Sequence, residues 1–158
     1  MKGKSRPAVV AIALAVVAMA VPALSAATDK ASVTLGAKLT GKAEVPESGD
    51  PNGKGDVAVK LKAAKRKVCF TLEVAKLDPI VAGHIHKGDA ETAGPVKVTL
   101  FEDPVGLDGD GAYEGCVKKV KRKLIKKIIK NPAKYYVNIH TKEYPDGAIR
   151  GQLEPLGA

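Results

Sequence analysis

The sequence predicts a mainly β protein: an antiparallel β-sandwich with Greek-key connections and one short, basic crossover helix. Three observations predict it. Apolar and polar residues alternate with period two over most of the chain, as in strands that turn one face to a core. The 16 Gly and 10 Pro, with Asn and Asp, punctuate those segments at short intervals, which keeps the strands short and supplies the turns of a sandwich. Helical spacing occurs in one stretch only, 117–130.

Taken in order, the chain opens with Lys2, Lys4 and Arg6, an uncharged apolar run from Ala8 to Val21, then Pro22 and the small residues Ser25, Ala26 and Ala27. This pattern predicts a secretory signal peptide over 1–27, cleaved near Ala27–Thr28, with a retained anchor as the alternative. The expected location is therefore secreted or cell-envelope associated. A single domain is expected over 28–158, and about 130 residues suffice for a core. Removing a leader that carries three of the 26 basic residues leaves 23 against 17 acidic ones, a net charge of +6.

Eight strands are expected: "VTLGAKLTG" (33–41), "DVAVKLK" (56–62), "KVCFTLEV" (67–74), "VAGHIH" (81–86), "VKVTLF" (96–101), "AYEGCV" (112–117), "YYVNIHT" (135–141) and "AIRGQL" (148–153). Residues 63–66 and "KEYPDG" (142–147) read as hairpin turns. Cys69 and Cys116 are the only cysteines. An exported chain with an even count is expected to pair them, the alternative being two buried thiols.

Between the sixth and seventh strands, Val117, Val120, Leu124, Ile125, Ile128 and Ile129 recur at helical spacing with eight Lys or Arg among them, and Asn131-Pro132 stops the helix. Two readings stand. A crossover helix packs its apolar stripe on the sandwich and solvates the rest. Alternatively Lys121, Arg122, Lys126 and Lys127 form an anion-binding surface for an envelope polymer or lipid.

The three histidines are the chemical signal. Residues two apart in a strand share a face, so His84 and His86 of "HIH" project together while Ile85 points away. Tyr136, Asn138 and His140 likewise share a face of "YYVNIHT", opposite Val137 and Ile139. With the aliphatic residues in the core, the imidazoles face outward, and pairing of the two strands gathers all three. Three neutral imidazoles suit copper or zinc. The competing reading is a metal-free set of hydrogen bonds to Asn138, Tyr136, Thr141 or backbone. Arg150 is expected to bridge to Asp89 or Glu91.

Other chemistry is poorly signalled. "EDPVGLDGDG" (102–111) offers Asp103, Asp108 and Asp110 but lacks the register and closing Glu of an EF-hand, so it reads as an acidic turn. No nucleophile elbow or phosphate loop is present. With four Tyr, two Phe and no Trp, stacking platforms for nucleic acid are few. A monomer without a nucleic-acid partner is expected.

Three blocks, "LTGKAEVP" (39–46), "AGHIHKGDAETAGPVKVTL" (82–100) and "NPAKYYVNIHTKEYPDGAIRGQL" (131–153), together resemble the CHRD domain, the repeated module of chordin that also occurs singly in exported bacterial proteins. The resemblance covers about residues 33–154 and departs from the family pattern in the lysine-dense 118–130 segment. It implies an extracellular β-sandwich, superoxide-dismutase or immunoglobulin-like in architecture, and little chemistry. The first functional reading is a non-enzymatic binding module that meets an extracellular or envelope partner through its sheet face and cationic helix. A second likeness concerns chemistry. "GHIHKGD" (83–89) and "VNIHT…GAIRGQL" are similar to the copper-ligand segments of copper/zinc superoxide dismutases. That likeness implies His84, His86 and His140 as copper ligands and Arg150 as an anion-steering group, with Tyr136, Asn138 and Asp89 nearby. The bridging histidine and zinc ligands of those enzymes have no counterpart, since no fourth histidine exists. The alternative to the binding module is thus a mononuclear copper protein, an oxidoreductase if it is an enzyme.

Overall fold

The computed structural model describes residues 32–102 and 107–156. The expected leader over 1–27 and Asp103 lie outside the described residues. Among the described residues nine strands form: β1 (Val33–Thr40), β2 (Lys54–Lys62), β3 (Lys67–Ala75), β4 (Ile80–Lys87), β5 (Val96–Glu102), β6 (Gly111–Val117), β7 (Tyr135–Thr141), β8 (Ile149–Gln152) and β9 (Glu154–Pro155). Eight match the alternating segments. The ninth is too short to alternate and contains a proline; it pairs with β1 at Leu35 and Gly36.

Every pairing is antiparallel, in the order β5-β4-β7-β8-β1-β2-β3-β6. The halves β5-β4-β7-β8 and β1-β2-β3-β6 join at the single pair Thr40↔Arg150, and β5 approaches β6 at the far side. The sheet thus curls almost into a barrel around one core. Both predicted turns connect paired strands, 63–66 joining β2 to β3 and 142–147 joining β7 to β8.

Alternation builds that core. Val57, Val59 and Leu61 of β2 meet Leu72, Phe70 and Val68 of β3 in register, all buried. Ile85, Val137 and Ile139 are fully buried, and removing side chains of this size from water stabilises by about 1.5–3 kcal/mol each. A one-residue slip of β4 or β7 would exchange these for imidazole, amide and phenol, so the register is fixed by the pattern itself.

The helix is shorter than its periodicity suggests. Helix α1 spans Arg122–Lys130, not 117–130. Val117 is instead the last residue of β6, paired with Val68, and Lys119 adopts φ 62°, a left-handed conformation that no helical turn can include. The remaining stripe behaves as expected of a crossover: Ile125 and Ile128 are fully buried on the sandwich, and the lysines are solvated.

Cys69 and Cys116 face each other across β3 and β6 and form a disulfide. Their separation of 47 residues gives a loop-closure contribution of about 4 kcal/mol on the chain-entropy account. Replacing both cysteines by alanine is expected to lower the unfolding free energy by roughly 3–4 kcal/mol in urea titrations. A variant as stable as the oxidised parent would show that the cross-link adds nothing to the sheet.

Candidate metal centre

Strands β4 and β7 pair with His84 opposite Asn138, His86 opposite Tyr136 and Ala82 opposite His140. His84 and His140 are therefore diagonal neighbours on one face, and Ala82 leaves the space between them open. The β4–β5 ladder shifts register at Gly83/His84 and again at Ile85/His86, a bulged arrangement that re-aims side chains locally. Ring centroids lie 4.9 Å apart for His84–His140, 5.6 Å for His84–His86 and 6.3 Å for His86–His140.

The hydrogen bonds decide which nitrogens are available. His86 Nδ1 lies 2.8 Å from the Gly94 carbonyl and His140 Nδ1 lies 2.9 Å from the Pro145 carbonyl. A carbonyl oxygen only accepts, so both Nδ1 atoms carry protons and both neutral rings present a lone pair on Nε2. His86 Nε2 is buried and has no partner. His84 Nδ1 is 3.0 Å from His140 Nε2 and so donates to it, while His84 Nε2 lies 3.6 Å from Glu102 Oε1. A cation held by the three rings would take the place of the His84 Nδ1 proton, and His84 Nε2–H would face the Glu102 carboxylate. His86 and His140 then each have an outward nitrogen fixed by a carbonyl, the support that metal-bound histidines typically have, and His84 has a carboxylate 3.6 Å from its own.

One nitrogen from each of His84, His86 and His140 lies within 4.8 Å of the others. Nitrogens sharing a metal at about 2.0–2.1 Å are about 3.3–4.1 Å apart, so the 3.0 Å pair must open slightly and the widest must contract. The donor set is all neutral nitrogen, which suits copper and zinc and not calcium or magnesium. Among the described residues this is the one group of three or more His, Cys, Asp or Glu with such geometry. Asp110 of the acidic turn instead accepts from the Lys76 backbone N–H at 2.9 Å.

The sequence pattern suggested an outward, solvated histidine face, and here the structure differs. All seven residues of β7 are buried, with Asn138 2% and His140 9% exposed. The second face is roofed by residues 44–48, 88–94 and 143–147. Two glycines make the roof fit: a Cβ on Gly94 would stand 1.7 Å from the Lys87 carbonyl oxygen, and one on Gly147 (φ +151°) would stand 2.4 Å from Asn138 Nδ2.

Beneath this roof Tyr136 stacks on His86, centroids 4.8 Å apart, with the Arg150 guanidinium 3.5 Å from the centre of its ring. Arg150 is 1% exposed. Its Nη2 donates to the backbone carbonyl of Asp89, while the Asp89 carboxylate accepts from Thr92 Oγ1 at 2.6 Å. The expected bridge to the carboxylate of Asp89 or Glu91 is thus replaced by a carbonyl contact, because the loop carboxylate serves its own turn. Arg150 Nη1 and Asn138 Oδ1 have no partner.

Sequence reading missed Glu44, although it stands in the quoted "LTGKAEVP". Its Oε1 accepts from Asn138 Nδ2 at 2.6 Å. Burial raises its pKa from 4.5 to about 7 against the opposing pull of Arg150 and of the Asn138 hydrogen bond. The His86 and His140 pKa values are lowered, chiefly by burial, with the other histidines adding to the effect and the Gly94 and Pro145 carbonyls opposing it. Both rings are thereby kept in the neutral form that can ligate. A cavity of about 580 Å³ reaches His86, Tyr136 and Asn138, and Glu44, Glu47, Glu143 and Asp146 line it without any Lys or Arg. Lys121, Arg122, Lys126 and Lys127 lie elsewhere, at and along α1.

A curled antiparallel β-sandwich with three imidazoles under a loop roof is the class of protein these features define. The chain belongs to the CHRD domain family, whose sequence model matches residues 35–153. No curated protein and no solved structure matches the chain.

The raised pKa of Glu44 means that the folded state holds its proton more tightly than the unfolded state. Its contribution to stability is fully present below about pH 4.5 and is lost as pH rises through about 7. At about 1.4 kcal/mol per unit, the loss is on the order of 3 kcal/mol. Glu44→Gln, which keeps the acceptor for Asn138, is expected to gain stability relative to wild type by that order between about pH 4 and pH 8. Urea unfolding in metal-free buffer measures this, and a pH-independent difference between the two proteins would refute a buried protonated carboxyl.

Proposed function

We propose that this CHRD domain is an exported copper-binding domain that holds one copper ion on His84, His86 and His140. The observation that carries the reading is the convergence of three imidazoles, each with its outward nitrogen beside an oxygen acceptor. A purely structural set of histidines has no need to leave the buried His86 Nε2 unpartnered, since such a nitrogen costs about 1–3 kcal/mol. Among divalent first-row ions, copper binds nitrogen donors most tightly.

Holding the ion fits the surroundings better than reducing an anion. Four carboxyl groups line the cavity, with Glu44 held neutral to about pH 7 and Glu143 shifted the same way, and no basic residue does, so whatever charge the lining carries repels an anionic substrate and draws in a cation. Arg150, whose charge acts on His86, is 1% exposed and packed against the Tyr136 ring. The domain therefore acts by binding, with export through the N-terminal leader placing it where copper arrives.

Purified metal-free protein is expected to take up one equivalent of copper, and His84→Ala, His86→Ala and His140→Ala should each weaken uptake by at least about tenfold. Uptake should also weaken in acid, because protons compete for the same nitrogens. Isothermal titration against a competing chelator reads both effects. Equal copper affinity in the wild type and the triple-alanine variant would end this reading.

A further inference from the structure

We infer that one end of the sandwich is a docking surface for an anionic phospholipid bilayer. Two stretches of sequence free of Asp and Glu meet there. Residues 115–134 contain nine Lys or Arg, and residues 57–72 contain five. The structure ties them together: the Val120 N–H donates to the Arg66 carbonyl at 3.0 Å, Arg66 Nη2 to the Lys119 carbonyl at 3.2 Å, and Arg122 Nη2 to the Ala64 carbonyl at 3.3 Å. The β2–β3 turn and the start of α1 thus form one continuous basic surface instead of two separate runs.

One acidic group stands at the opposite end, where Asp78 and Asp50 lie close enough to Glu143 to raise its pKa. Asp78 follows the far end of β3, whose nine residues separate it from the β2–β3 turn by roughly 26 Å. Asp89 and Glu91 lie nearer, in the loop after β4 that meets Lys134, but neither falls within the two basic stretches, and this uneven charge helps to orient the domain as it approaches a negatively charged surface.

Three features favour a lipid surface over a soluble polymer. The basic area spreads over two chain segments and is broader than the stripe that a linear polymer follows. Among the described residues of α1 and the β2–β3 turn there is no aromatic ring on which a base or sugar could stack. A hollow of about 530 Å³ on α1 is lined by Arg122, Lys123, Lys126, Lys127, Lys130 and Asn131 alone, so several cations can share one headgroup phosphate. Ile125 and Ile128 are fully buried in the fold, which leaves the contact electrostatic and reversible by salt.

Co-sedimentation with phosphatidylglycerol-containing vesicles tests the inference, with phosphatidylcholine vesicles as the neutral comparison. Wild type should pellet with the anionic vesicles only and be released by high salt. The variant Lys123→Gln, Lys126→Gln, Lys127→Gln, Lys130→Gln should lose several-hundred-fold in affinity, at about fivefold per lysine. A control with Lys42→Gln, Lys54→Gln, Lys76→Gln and Lys142→Gln has the same net charge but an intact basic end, and should still pellet. Copper uptake and circular dichroism unchanged in both variants show that the fold and the histidine site persist. Failure of wild type to pellet, an equal loss in the control, or capture by soluble polyphosphate but not by vesicles would each overturn the inference, whatever the outcome of the copper titration.

Discussion

The burial of Ile85 against Val137 and Ile139 is the constraint from which the rest follows. Their side chains are removed completely from solvent, and because a strand alternates its faces, every neighbour of these residues must point the other way. That requirement gathers His84, His86, Tyr136, Asn138 and His140 on a single surface without any direct attraction among them. Aliphatic packing supplies the energy, and the polar groups take the positions that packing leaves.

A face so rich in polar groups is normally left to water. Here it is covered, and covering it requires that its donors and acceptors be satisfied. The loops do this for most of the donors with backbone carbonyls: Gly94 and Pro145 receive the imidazole protons, Asp89 receives Arg150, and Gly88 and Ala133 receive the Gln152 amide, while His86 Nε2, Asn138 Oδ1, Arg150 Nη1 and Gln152 Oε1 keep no partner. Carbonyl acceptors cannot donate, so they fix the tautomers of His86 and His140 in one sense. The same enclosure keeps the Glu44 carboxyl neutral to higher pH than usual and both buried rings neutral to lower pH. One physical cause, the withdrawal of water, thus acts on an acid and on two bases in opposite directions.

Most of the strand content was legible in the sequence because period-two alternation depends only on neighbouring residues. The side chains that would share a face could be read for the same reason, and Ile85, Val137 and Ile139 lie where alternation puts them. The roof could not be read. It depends on two loops returning over β7 from distant parts of the chain as well as on the adjoining hairpin turn, and nothing local to "YYVNIHT" distinguishes a face open to water from one that a loop covers. Glu44 escaped notice on similar grounds: before a long-range partner is known, a glutamate between Ala43 and Val45 looks like any solvated loop residue. The start of α1 was overestimated because apolar spacing alone does not register the left-handed Lys119. The CHRD family was recognisable from the order of three blocks, a signal that survives ignorance of the loops.

The contacts that complete the histidine face join residues far apart in the chain. His84 meets His140 across 56 positions, Arg150 reaches Asp89 across 61, and Asn138 reaches Glu44 across 94. Loop closure of this length is slow compared with local hairpin formation, and the Pro145 carbonyl and the Arg150 side chain both lie after β7 in the chain. The roofed face is consequently absent from any chain in which β7 and β8 have not yet paired. An extended polypeptide carries the three rings as isolated groups, and they come together only once these strands have docked.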